Sequence, residues 1–172
     1  MAEEALLENQ VTYLYHASAK KLYNLALYSI VDQPLAEQLS IDAFVSTFHH
    51  LKDKSDATQF RIESTRRLHL MSKRALILRS LRSITEPDPL EIIKSVNGTE
   101  NIRIQQLFCG LNYDERFLLL LLLQQEFSQK QIAQILCIPI FIVKKRIYNM
   151  LNRAMDIWSK PMYSLASDEK PE

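Results

Sequence analysis

Along the first thirty residues, apolar side chains recur at Leu7, Val11, Leu14, Leu22, Leu25 and Ala26, while Lys20, Lys21 and Asn24 fall on other faces. That period predicts an amphipathic helix over about Glu4 to Ile30. The stretch "VDQPL" interrupts it: Asp32 can cap a new helix, and Pro34 suits a first helical turn. A second helix follows from about Leu35 to Leu51, with Ala36, Leu39, Ala43, Phe44, Thr47, Phe48 and Leu51 on one stripe and Glu37, Gln38 and Asp42 off it. Beyond the polar "KDKSDAT", where Ser55 or Asp56 can cap, the spacing predicts a long helix from Thr58 to about Ile84. Phe60, Leu68, Met71, Ala75, Leu78 and Leu81 form its core side.

The texture then changes. "TEPDPLEIIKSVNGTEN" holds two prolines and a glycine among small polar residues and reads as a linker over 86–101. In the second half Gly110 marks a helix stop. Asn112 with Glu115, and Ser128 with Gln131, have the spacing of capping boxes. They bracket helices at about 113–125, 129–136 and 140–158. The first of these contains "FLLLLLL" and must be buried on nearly every side, which a small three-helix unit would achieve. Ile132 and Leu136 should face the core, with Ala133 allowing a close crossing. In the last helix Val143, Ile147, Met150, Leu151, Ala154 and Trp158 share the inward sector. The pattern therefore predicts an all-α chain of two small helical domains, 1–85 and 102–160, joined by the linker 86–101 and followed by a disordered tail, 161–172.

Composition agrees with helix. The 172 residues are 47% hydrophobic and include only 2 glycines, too few for a sheet with many tight turns. The net charge of +1 hides an uneven distribution. The third helix carries Arg61, Arg66, Arg67, Lys73, Arg74, Arg79 and Arg82 against the single acid Glu63. Cys109 and Cys137 have no metal-site spacing and read as two buried, reduced thiols. The acidic start and the absence of any long apolar run point to a cytoplasmic protein without a membrane span.

No catalytic constellation emerges, so no enzyme is expected, nor any cofactor or metal. His16, His49, His50 and His69 are scattered through helices as surface or half-buried residues. Asp114 and Glu115 sit at a helix start, where the dipole accounts for them. There is no glycine-rich phosphate loop and no nucleophile elbow.

The last helix is the richest in binding chemistry. Its outward sector holds Phe141, Lys145, Tyr148, Asn149 and Asn152, flanked by Lys144, Arg146 and Arg153. Lys145 can reach guanine or phosphate, the asparagines can pair with base edges, and Phe141 or Ile142 can meet a thymine methyl. Lys144, Arg146 and Arg153 would hold phosphates. The competing reading makes the charges ordinary solvated surface and packs Phe141 and Ile142 against protein.

The segment "LNYDERFLLLLLLQQEFSQKQIAQILCIPIFIVKKRIYNML" resembles the C-terminal domain of bacterial RNA polymerase sigma factors, especially the extracytoplasmic-function group. "SQKQIAQIL" is similar to that family's Ser-x-x-Glu-Ile-Ala-x-x-Leu, and "VKKRIYNML" to its Val-Lys-x-Arg-x-x-x-Ala/Leu. "LAEQLSIDAFVSTFHHL" resembles the helix by which those factors dock on polymerase, and the basic helix that follows lies where the family holds melted −10 DNA. The resemblance covers about residues 10–155. Five positions depart from it: Cys137 replaces the turn glycine, Pro139 the helix-starting serine, Phe141 and Ile142 a Gly and a Thr, and Glu63 a tryptophan.

The resemblance implies a region 2-like domain at 1–85 and a region 4-like helix-turn-helix domain at 102–160. It implies a transcription initiation factor that binds core RNA polymerase through Glu37 and Asp42 and directs it to promoter DNA. Arg61, Arg66, Arg67, Lys73 and Arg74 would hold the −10 region, and Lys144, Lys145, Arg146, Tyr148, Asn149 and Asn152 the −35 region. An anti-sigma inhibitor protein is a further implied partner. The alternative is a diverged sigma-like protein that regulates transcription by protein contacts without promoter recognition.

Overall fold

The computed structural model describes residues 2–51, 56–81, 102–124 and 126–159. The linker expected at 86–101, the tail expected at 161–172 and Arg82 lie outside the described residues. Those that are described form helices, with no strand among them: α1 (Ala2–Ile30), α2 (Gln33–His50), α3 (Ala57–Leu81), α4 (Ile102–Gly110), α5 (Tyr113–Leu123), α6 (Gln129–Leu136) and α7 (Ile140–Ser159).

The corners follow from local chemistry. The Asp32 carboxylate accepts the Leu35 N–H at 2.9 Å, and Pro34 occupies the first turn of α2. The same carboxylate meets the Arg79 guanidinium, tying this corner to the end of α3. Val31, just before it, has φ 61, a left-handed backbone for a β-branched residue. At the start of α3, Asp56 accepts the N–H groups of Thr58 and Gln59 at 2.8 and 3.0 Å. Both capping boxes form, at Asn112 with Glu115 and at Ser128 with Gln131.

The first-half helices α1, α2 and α3 pack on one another, and the second half packs onto them: α5 lies on α1, and α6 on α3. Leu22, Leu25 and Ala26 of α1 therefore belong to the same core cluster as Phe117, Leu121, Ile132 and Val143. This changes how the leucine run is covered. Phe117 to Leu121 are buried, Leu122 is partly so and Leu123 is exposed. The cover comes from α1 as well as from the second half's own helices, not from a three-helix unit alone.

Arg116 supports this arrangement. Its Nε donates to the Ser29 carbonyl at 3.0 Å, while Nη1 donates to the Phe108 and Leu111 carbonyls at 3.3 and 2.7 Å. One guanidinium thus satisfies carbonyls left open near the ends of α1 and α4. Gly110 ends α4, and it also leaves room. A Cβ there would lie 2.7 Å from the Ile157 Cδ1 of α7.

Several inward assignments need correction. Ile135, not Leu136, shares full burial with Ile132 on α6. Leu78 and Leu81 are exposed: near the end of α3 it is Arg79, paired with Asp32, that turns inward toward the start of α2. On α7, Leu151 and Trp158 are about half exposed, since the helices around α7 cover a sector centred on Val143 and Met150. His69 is buried rather than superficial. Neither thiol is fully buried: Cys109 is half-buried and Cys137 exposed. No helix among the described residues is long and apolar enough to cross a membrane.

Candidate functional site

Three surfaces carry the residues singled out by the sequence. The first lies on the outer side of α1 and α2. Tyr15, Ala19 and Tyr23 from α1 face Ile41, Phe44 and Val45 from α2 across a groove of about 770 Å³. Phe44 forms its floor, edge-on to Tyr15 at 6.0 Å and to the fully buried Phe60 at 5.1 Å. Glu37, His16 and Lys20 line the same groove. Asp42 is exposed on the adjoining side of α2 and does not line it. Tyr15, Ile41 and Val45 are exposed, so the groove is a greasy surface with a charged rim. Sequence reasoning missed it. The available signal was Ile41 and Val45, four apart and off the stripe that buries α2.

The second surface is the basic side of α3, which is largely engaged by the molecule itself. The Arg61 guanidinium sits over the Phe127 ring. Arg67 Nη1 donates to Ser46 Oγ of α2 at 2.7 Å. Lys73 Nζ meets Asp114 of α5 at 3.2 Å. Arg66 lies 3.6 Å from Glu63, one turn earlier, so the lone acid of this helix is matched within it. Arg74 points to solvent.

The third surface is the outer face of α7. The turn before it places Cys137 at φ 53, ψ 42, the left-handed conformation usually given to glycine. Its N–H returns to the Gln134 carbonyl and that of Ile138 to Ala133, closing α6. Pro139 then offers its carbonyl to the N–H groups of Ile142 and Val143 at 2.9 and 3.2 Å, which starts α7. Lys144, Lys145, Arg146, Tyr148 and Asn149 are exposed, whereas Asn152 is half-buried. Phe141 is exposed and Ile142 half-buried.

Arg146 and Asn149 line a small cleft with Asp114 and Glu115 at the start of α5, and Arg153 pairs with Glu115 at 3.2 Å. Lys73 of α3 and Arg146 of α7 therefore approach the same carboxylate region, around Asp114. His69 lies beneath it, stacked on Tyr113 at 5.9 Å and tilted against Phe117 at 4.7 Å. Burial lowers its pKa to about 4, helped by Lys73 and Arg146 and opposed by Asp114. Burial also raises the Tyr113 pKa above its ordinary value, and its phenol lies 3.3 Å from His69 Nδ1. Both groups are neutral at pH 7 and act as packing.

No cluster of histidine, cysteine or carboxylate side chains among the described residues could hold a metal ion. No protein-family model and no curated protein sequence matches this chain.

Proposed function

We propose that this chain is a transcription initiation factor of the sigma type, which binds core RNA polymerase and directs it to promoter DNA. It works in the cytoplasm, with no membrane partner. The observation that carries the reading is the α1–α2 groove: an exposed aromatic and aliphatic trough with Glu37 on its rim, beside Asp42. One of its walls is α2, whose sequence resembles the polymerase-docking helix of sigma factors. An apolar trough with a charged rim suits a protein partner, because desolvated aromatic anchors supply most of the energy of such contacts.

On this reading α7 supplies the DNA contacts. Lys144, Lys145 and Arg146 hold phosphates, while Tyr148, Asn149 and Asn152 stand toward base edges. Arg61, Arg66, Arg67, Lys73 and Arg74 of α3 form the second contact. Engaging it requires α6 and the start of α5 to move off α3, releasing Arg61 from Phe127 and Lys73 from Asp114. An inhibitor protein of the anti-sigma kind would act by holding that closed arrangement.

The internal engagement of Arg61, Arg67 and Lys73 also favours the second reading, a diverged sigma-like regulator that meets proteins and reads no promoter. One experiment separates the two. The purified chain, with and without core polymerase, is titrated against a library of labelled duplexes at several salt concentrations. The first reading expects a steep fall of affinity with salt and weakening on every duplex for Lys144→Ala with Lys145→Ala. Polymerase binding with a flat salt response supports the second. No polymerase binding at all rejects the first.

A further inference from the structure

The α7 helix has two apolar faces, and among the described residues only one is covered. Val143 and Met150, with half-buried Ile147 and Ile157, attach it to the rest of the molecule. The outward face repeats every seven residues: Phe141, Tyr148 and Met155 at one position, Lys144 and Leu151 three residues later. Phe141, Tyr148 and Met155 are each more than 60% exposed, and Leu151 is 47% exposed. Alternating steps of three and four are the spacing of a coiled-coil seam, which lets two helices interlock along several turns. Nucleic acid has no use for Leu151 and Met155 in such a row, and water does not favour them.

We infer that this seam packs against the same seam of a second copy, antiparallel, to form a two-fold symmetric dimer. The charge distribution along α7 selects that occupant. Lys144, Lys145 and Arg146 crowd its first turns, while near its end lie Arg153, already paired with Glu115, and Asp156, its only acid. Parallel pairing would stack Lys144 on its own copy. Antiparallel pairing brings Lys144 and Lys145 beside Asp156 of the second copy, opposes the two helix dipoles, and faces Tyr148 with Leu151 at the centre. The ammonium of Lys144 can reach out of the seam while its stem stays in it.

The pairing covers Phe141, Lys144 and Tyr148, so self-association and duplex binding exclude each other on this helix. The inference itself rests on the α7 surface and does not need the sigma reading.

Sedimentation equilibrium on the full chain tests it without DNA or polymerase. The mass should rise with concentration from 20.1 kDa toward twice that value. Tyr148→Glu combined with Leu151→Glu should hold it at the monomer value with unchanged helical circular dichroism, because both side chains are exposed. Should that double variant misfold, Met155→Glu alone serves. Asp156→Lys should weaken the association several-fold, and adding Lys144→Glu with Lys145→Glu should restore it. A monomer at every concentration overturns the inference. So does a dimer indifferent to the seam variants, and indifference to Asp156→Lys overturns the antiparallel pairing.

Discussion

The guanidinium carbon of Arg61, on α3, lies 5.1 Å from the centre of the Phe127 ring, just ahead of α6. A cation expected to face DNA instead covers an aromatic ring in the other half of the chain. With Lys73 on Asp114, it makes the basic side of α3 part of the contact between the halves. The free chain is therefore closed over one of its two proposed DNA contacts.

Removing the carboxylate that competes with phosphate should expose this. Asp114 faces Lys73 at 3.2 Å, with both side chains nearly half exposed, so the pair contributes at most about 1 kcal/mol to stability. Asp114→Asn should leave the melting temperature nearly unchanged and raise affinity for duplex DNA roughly threefold at low salt, fading as salt rises. Fluorescence anisotropy with a labelled duplex measures it. Unchanged affinity at low salt would separate Lys73 and Arg146 from DNA binding.

Stability should depend on pH through His69. Its pKa is about 4 when folded and near 6.5 when unfolded, so between these values the unfolded chain binds the extra proton. Stability is full above pH 6.5, declines as pH falls through 6.5, and stops declining on this account below about pH 4. The limiting loss is roughly 3 kcal/mol. His69→Gln should flatten that part of the profile in urea denaturation measured from pH 7.5 to 4.5. A slope equal to that of the unaltered chain would show that other groups set it.

Much of this fold was legible in the chain. Asp32, Asn112 and Ser128 cap helices because each offers an oxygen to open N–H groups nearby, a local matter readable from spacing. The all-α class followed from the same local evidence. The burial of His69, the role of Arg116 and the outward turn of Leu151 were not legible. Each depends on which helices meet across the gap between halves, and helical period alone does not say which of two apolar faces is covered. The α1–α2 groove was hidden for a related reason: Tyr15 and Ile41 become one surface only when α1 and α2 pair.

Cys137 was legible in advance as a residue forced into the place of a glycine, and φ 53 agrees. Cys137→Gly should stabilise the protein by about 1 kcal/mol by relieving that backbone cost. The melting temperature should rise by about 3 °C. A lower value would mean that the Cys137 side chain contributes more than its left-handed backbone costs.

Gly110 and Ile157 should behave as a coupled pair. Gly110→Ala places a methyl 2.7 Å from Ile157 Cδ1 and should cost about 1 kcal/mol. Ile157→Val removes that atom, so the double variant should be more stable than the sum of the two changes predicts. Chemical denaturation of the four proteins gives the coupling. Simple additivity would contradict the close approach.

The docking groove on α1 and α2 is the claim on which the proposed function turns, and its occupant can be tested directly. Purified core RNA polymerase is titrated with the labelled chain and with an Ile41→Lys variant, whose altered side chain is 62% exposed and need not disturb folding. The account predicts a saturable one-to-one complex for the unaltered chain and affinity at least about tenfold weaker for Ile41→Lys. Failure of the unaltered chain to bind, or equal binding by the variant, would contradict it.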